Sequence, residues 1–495
     1  MPLDFQSIAA IVFLVVLSFF LYVKRGKLST KKFLRAFNFS MYKTRLGLNS
    51  MDYISKRHYK AMSYAIGLIL FFSGIFFDKI VTMDSIIVTI LQVIFSITGI
   101  LILIRPSLLG YVIITYGFLG MLILIVSLFQ NTYDLFTKPE ASPGVGLVLP
   151  FEAKGVVYVP FLYWIISLFI VALIHEFAHG VVARSHNINV KSSGFAFIGS
   201  DYRWGGLILI VIFGYIKIRN AGFDVTGAVA SLSSFNSMAD LLFILGVSLF
   251  VISFFKNPLV PIIPAAFVEP DEKKLGKRPH SQQLSVFAAG PFSNILLGLI
   301  LLGFAAFAFS PLLDSMTELT GAKISGLTEG FPAASSGLAE GEVIKQIDDA
   351  EIKSVGEFSD YLREKKPGST IDLETDRNSY SIRLAQSPTN ESAGYLGVYV
   401  RQNAGIKESF KQKYGSFMPN VILWLAGLLN WLIILNLGIG LFNLIPIGPI
   451  DGGRMMHLVL LKVFKNGEKA NRVWHSISLV FLLIVLVIII KACAL

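Results

Sequence analysis

The stretch Ala172-Leu173-Ile174-His175-Glu176-Phe177-Ala178-His179-Gly180 lies inside a run, Tyr163 to Val182, that is otherwise almost wholly apolar. An apolar run of that length predicts a helix that crosses a bilayer. On such a helix His175 and His179 are one turn apart on one face, so both imidazoles reach a single point where a metal can sit. Glu176 lies beside them, placed to take a proton from a water at that point. Three ionisable groups at membrane depth are costly unless they have a function. Reading them as two core histidines and a paired glutamate leaves that cost unexplained.

Working outward, the 495-residue chain is 54 % hydrophobic and only 15 % charged. That balance excludes the soluble globular classes and fits an α-helical polytopic membrane protein. The single cysteine, Cys493, excludes disulfide frameworks and cysteine-rich zinc sites, so any zinc here must use histidine and carboxylate. The net charge of +11 comes from Lys and Arg in short loops beside apolar runs. This is the pattern of a protein whose partner is the lipid bilayer, and no nucleic acid is expected.

Further apolar runs lie at about Ser7–Val23, Met62–Phe77, Ser85–Ile104, Pro106–Gln130, Leu284–Phe309, Phe417–Leu444 and Val473–Ile490, with shorter ones at Leu207–Ile216 and Met238–Phe255. The first lacks a basic leader and a small-residue cleavage site and reads as a retained anchor. Lys and Arg crowd the loop from Lys24 to Lys60, whose one acid is Asp52, and recur at Lys273–Arg278 and Arg454–Arg472. With these loops cytosolic, the helix bearing His175 runs from outside to inside and sets the site toward the cytosolic side of the cell membrane. Residues 1–156 then form an N-terminal membrane region of about four spans with a basic cytosolic loop. Residues 157–310 hold the first half of the metal-bearing core with a membranous insert at 201–257, and 403–495 the second half. Between them, 311–402 has soluble character, with short alternating apolar runs such as Val343-Ile344-Lys345-Gln346-Ile347, and reads as a small α/β module on the outside.

Two histidines do not complete a catalytic zinc site, which takes three protein ligands and keeps one position open. Asp451 stands out among the remaining carboxylates. It follows Asn443-Leu444-Ile445-Pro446-Ile447-Gly448-Pro449-Ile450 at the end of a long apolar run, where Pro446, Gly448 and Pro449 break the helix and bring irregular backbone to the bilayer. Two readings stand for Asp451: a third ligand, or a cap on the helix that follows.

Together these motifs resemble those of the site-2 proteases, zinc intramembrane metalloproteases. The resemblance rests on His-Glu-x-x-His at His175–His179 and on Asn-x-x-Pro-x-x-x-x-Asp-Gly from Asn443 to Gly452. It is extended by Ala289-Gly290-Pro291-Phe292-Ser293-Asn294 and by the segment Ala266 to Glu272, which in relatives belongs to a re-entrant β-hairpin. The insert at 201–257 interrupts that hairpin, and Ile450 stands where the family usually has Leu. The module at 311–402 resembles a PDZ domain through Phe331 to Leu338, Gly341 to Ile344, and Tyr395-Leu396-Gly397-Val398, the counterpart of the carboxylate-binding loop, coming last as in permuted versions. The fold implied is a helical polytopic membrane protein with a re-entrant β segment and a small extramembrane α/β PDZ-like domain.

The resemblance implies one zinc per chain, held by His175, His179 and Asp451, with Glu176 as the general base. It also implies that Asn443 and Asn294 contact the substrate backbone or the developing oxyanion, although polar side chains in membrane helices also bridge helices. The substrate class is a single-span membrane protein, cut within its span after a first cut outside the membrane. The strand Val190–Phe197 or Ile262–Val268 would offer an edge to the unwound substrate. Tyr395, Leu396, Gly397 and Val398 would take a peptide C-terminus, unless the module is an inert plug. The rival readings are a transporter or ion pathway, which would not call for histidines four apart, and an inactive helix-binding relative, which would not need Glu176.

Overall fold

The computed structural model describes residues 5–32, 38–80, 86–138, 141–151, 155–220, 238–252, 259–388, 390 and 392–494. It divides into two units, Met1–Phe304 with Gly427–Leu495, and Ala305–Ala426.

The long helices, most of them on the apolar runs, are α1 (Phe5–Val23), α2 (Tyr59–Ile80), α3 (Ile86–Ile104), α4 (Leu109–Thr137), α5 (Phe161–Ser185), α6 (Tyr202–Asn220), α7 (Met238–Ile252), α8 (His280–Phe304), α9 (Phe417–Phe442), α10 (Asp451–Phe464) and α11 (Gly467–Ala494). Among the described residues, six helical segments are long and apolar enough to cross a membrane: Leu48–Asp78, Pro106–Thr137, Phe161–Ser185, His280–Met316, Phe417–Phe442 and Gly467–Cys493. The chain is a multi-pass membrane protein. Helix α5 starts after Pro160, carries Arg184 in its last turn where a cation suits the helix dipole, and is turned off by Asn187 in the left-handed region at φ 58°. It packs against α8, and its Val181, Val182 and Ala183 share a buried core with Val286, Phe287 and Ala288 of that helix.

The strands β1 (Leu28–Lys32), β2 (Asn38–Thr44), β3 (Val190–Asp201) and β4 (Leu259–Pro270) form one antiparallel sheet in the order β1-β2-β3-β4. Two expectations change here. The Lys24–Lys60 segment, read as a basic loop, supplies a hairpin that extends the sheet, with Asn38 opposite Gly199 and Thr44 opposite Ser193. The insert does not part the re-entrant strands either. β3 and β4 pair from Val190 opposite Pro270 to Asp201 opposite Leu259, and α6 and α7 follow as a packed helical pair. Residues 221–237 and 253–257 of the insert lie outside the described residues.

Among its described residues the second unit has a six-stranded sheet, in the order Ser379–Arg383, Thr370–Thr375, Val343–Ile347, Thr317–Leu327, Val398–Ile406, with Ala350–Glu351 paired to the middle strand. Thr370–Thr375 alternates exposed and buried residues, the period-two signature of a half-buried strand. Its inward Ile371 and Leu373 meet Ile324, Ile344, Ile347 and Phe358 in one core. The helix Val355–Glu364 starts in a capping box, with the Ser354 hydroxyl accepting from the Glu357 N–H and the Glu357 carboxylate accepting from the Ser354 N–H. This unit contains the module whose sequence resembles a PDZ domain.

Candidate metal centre

His175 and His179 occupy one face of α5, 7 % and 9 % exposed, and Asp451, 8 % exposed, reaches them from the start of α10. Nε2 of His175 lies 3.0 Å from Asp451 Oδ2, Nε2 of His179 lies 3.4 Å from it, and the two Nε2 atoms are 3.2 Å apart. Among the described residues these three form the group able to share a metal. Asp451 does not cap its helix: Ile450 is the N-cap residue, and no side chain caps the helix there. The backbone allows the approach because α9 ends at Phe442 and the chain folds back, the Asn443 carbonyl accepting from the Gly452 N–H at 2.7 Å. A Cβ at Gly452 would meet the Leu444 carbonyl and one at Gly453 the Ile447 carbonyl, so this turn needs both glycines.

The donor set fits zinc. Ligand atoms about 2.0–2.1 Å from a tetrahedral zinc stand roughly 3.3–3.4 Å from each other, and the three separations match or fall just short of that spacing. His179 donates its Nδ1 proton to the Val286 carbonyl at 2.6 Å, which leaves the Nε2 lone pair for a metal. Bare backbone of α8 faces the convergence point, since a Cβ at Gly290 would meet Nε2 of both histidines.

A cavity of 480 Å³ opens on the group, lined by His175, Glu176, His179, Asn443 and Asp451 together with Phe267, Val268, Phe287 and Ile450. Glu176 is oriented by β4, its Oε2 accepting from the Val268 N–H at 3.0 Å. Asn443 donates one amide hydrogen to the Ile439 carbonyl at 3.1 Å. Arg454, one turn beyond Asp451, stacks at 4.0 Å over the Phe287 ring and pairs with both oxygens of Glu272 at 2.9 and 3.0 Å.

Asn294 is brought to the group but not to the cavity. It is 0 % exposed, and its amide lies 3.1 Å from Nδ1 of His175, on the far side of the ring from Asp451. The two candidate edge strands also separate. β3 is paired on both sides, by β2 and β4, and offers no edge; β4 ends the sheet among the described residues. The Val268 N–H points away from β3 to Glu176, so the outward-facing backbone positions of β4 include Ala266 and Pro264, the proline standing where an edge strand tolerates a missing donor. In the PDZ-like unit, Tyr395 pairs with Ala385, the Leu396 carbonyl accepts from the Ala333 N–H, Gly397 takes a φ of 81°, and Val398 opens the edge strand.

Sequence reasoning missed Gly290, the Val268 N–H and the Arg454–Glu272 pair. The Ala289–Asn294 motif was the available signal for the first; the other two depend on tertiary contacts.

Residues 163–485, more than half of the chain, match the family described as Peptidase family M50. Among curated proteins the chain is similar to zinc metalloprotease RasP of Shouchella clausii, at 24 % identity over 39 % of this chain and 54 % of that protein. It is also similar to the probable protease eep of Enterococcus faecalis, at 22 % identity over 59 % of this chain and 88 % of that one. An uncharacterized protein of Methanocaldococcus jannaschii is 26 % identical over 64 % of this chain and 65 % of its own length. The chain thus spans between about half and nine tenths of these relatives. A crystal structure of the PDZ domain of an SdrC-like protein from Listeria monocytogenes aligns at 26 % identity over 16 % of this chain and 87 % of that one, with a TM-score of 0.15.

Proposed function

Because the chain belongs to peptidase family M50, we propose that it is a zinc-dependent intramembrane endopeptidase acting on the spans of single-span membrane proteins. The observation that carries this is the convergence of His175, His179 and Asp451 beside Glu176 in one cavity within a bundle of membrane-length helices. His175, His179 and Asp451 hold one zinc per chain. When bound, the metal supplies Lewis acidity, polarising a carbonyl and making water a nucleophile near neutral pH. Glu176, steadied by the Val268 N–H, accepts the proton of the attacking water and passes it to the leaving amine. Asn443 has a second amide hydrogen to offer a substrate oxygen, a kind of contact worth about 3 kcal/mol in a transition state.

A membrane helix has its backbone groups bonded internally, so the substrate must unwind before its carbonyl is accessible. Ala266 on the outer edge of β4 offers an N–H and a C=O to the unwound strand. Cleavage of a single-span test substrate in detergent, by the unaltered protein and by Glu176→Gln and Ala266→Pro variants, tests both steps. Glu176→Gln is expected to retain zinc and lose about 10²–10⁴-fold in rate; undiminished cleavage removes Glu176 from the chemistry. Ala266→Pro is expected to raise KM, and an unchanged KM contradicts strand addition.

The distribution of basic loops supports a cytosolic-side site and an outer PDZ-like module. That module, with Tyr395 to Val398 at the head of its edge strand, screens substrates by binding a terminus exposed by a first cut. Deleting 311–402 is expected to let substrates with intact outer domains be cut; unchanged selectivity contradicts the screening role.

A further inference from the structure

We propose that Asn294 is a positioning residue of the metal centre: its Oδ1 accepts the Nδ1 proton of His175 and so fixes the tautomer whose Nε2 faces Asp451. The proposal rests on the zinc reading above and gives the Gly290-x-x-x-Asn294 turn of α8 two tasks, room at Gly290 and orientation at Asn294.

Three observations carry it. Asn294 is 0 % exposed and does not line the cavity, so it has no path to the substrate. Its amide is 3.1 Å from His175 Nδ1, while the opposite ring nitrogen is 3.0 Å from Asp451. Finally, with Nδ2 facing the ring, Oδ1 of Asn294 is buried without a partner among the described residues. That arrangement cannot hold when a metal sits on Nε2, because Nδ1 then carries the proton and two donors face each other. The two ends of an amide are nearly indistinguishable in shape, and a half-turn brings the acceptor to the Nδ1–H. His179 shows what this contact does, since its own Nδ1 proton goes to the main-chain carbonyl of Val286. A main-chain acceptor cannot be mutated away. Asn294 is the replaceable counterpart, at His175, of the Val286 carbonyl at His179.

The test is the zinc dissociation constant of the full chain in detergent, by competition with a chromophoric chelator, for the unaltered protein and for Asn294→Leu, Asn294→Asp and His175→Ala. Asn294→Leu keeps the bulk and removes the acceptor, and is expected to weaken zinc binding about 10–100-fold. Asn294→Asp restores an acceptor and is expected to bind within a few-fold of the unaltered protein, which also shows that the position tolerates exchange. At saturating zinc, Asn294→Leu should cleave with unchanged KM, as expected of a residue behind the ligand. An unaltered zinc constant in Asn294→Leu, or a raised KM at saturating zinc, overturns the proposal. His175→Ala separates the two levels. If it too leaves the constant unchanged, the zinc reading fails; if it abolishes binding while Asn294→Leu does nothing, only the positioning role fails.

Discussion

Asp451 in the membrane unit and Glu342 in the PDZ-like unit are both buried carboxylates, 8 % and 2 % exposed, and their partners differ in kind. Glu342 accepts from the Thr375 hydroxyl at 2.7 Å, from the Tyr380 hydroxyl at 3.0 and 3.1 Å, and from the Ala339 N–H at 3.3 Å. Neutral donors on neighbouring strands and turns satisfy it, and it ties them together. Asp451 meets two imidazole nitrogens that also converge on each other. With the Nδ1 proton of each ring turned outward, as that of His179 is toward Val286, both Nε2 atoms present lone pairs beside the carboxylate, a set suited to holding a cation. Burial alone therefore does not distinguish a site from a structural staple; the chemistry of the partners does.

Three substitutions sharpen this contrast, in decreasing order of effect. Asp451→Ala should abolish both zinc retention and cleavage, read by metal analysis of the purified protein, while the PDZ-like unit keeps its hydrogen-exchange protection. Gly290→Ala should come next. It leaves every proposed ligand in place but puts a methyl group where the imidazole tips converge, so zinc content should fall without loss of helix by circular dichroism. Glu342→Ala should leave zinc and cleavage of a trimmed substrate intact. It removes the shared acceptor of the Thr375 and Tyr380 hydroxyls and the Ala339 N–H, and should destabilise the PDZ-like unit by about 1–3 kcal/mol, seen as faster exchange of the amides in Val343–Ile347 and Thr370–Thr375. Loss of zinc from Glu342→Ala, or its retention in Asp451→Ala, would erase the distinction.

The helices were the most legible part of the chain, because an apolar run of bilayer length permits little else. The metal group was legible as well: the histidine spacing carries its own geometry, and Asp451 sits where Pro446 and Pro449 break a span. The β1–β2 hairpin was not. Its strands, Leu28-Ser29-Thr30-Lys31-Lys32 and Asn38 to Thr44, lie in a segment whose basic residues read as a loop, and β2 finds its partner β3 about 150 residues further along. Asn294 shows a finer limit. Its residue type and motif were plain, but a helix rotated by a fraction of a turn sends the same amide into the cavity or behind His175. Only the packing of α8 on α5, close enough for Gly290 to abut both imidazoles, decides between them.

X-ray absorption at the zinc edge, on the purified protein in detergent, reads the ligands of the His175–His179–Asp451 centre. One zinc per chain is expected, with two imidazole nitrogens and a carboxylate oxygen at about 2.0–2.2 Å, and loss of the signal in Asp451→Ala. A protein that cleaves its substrate with no bound metal, or a zinc whose coordination is the same after Asp451→Ala, would contradict this assignment.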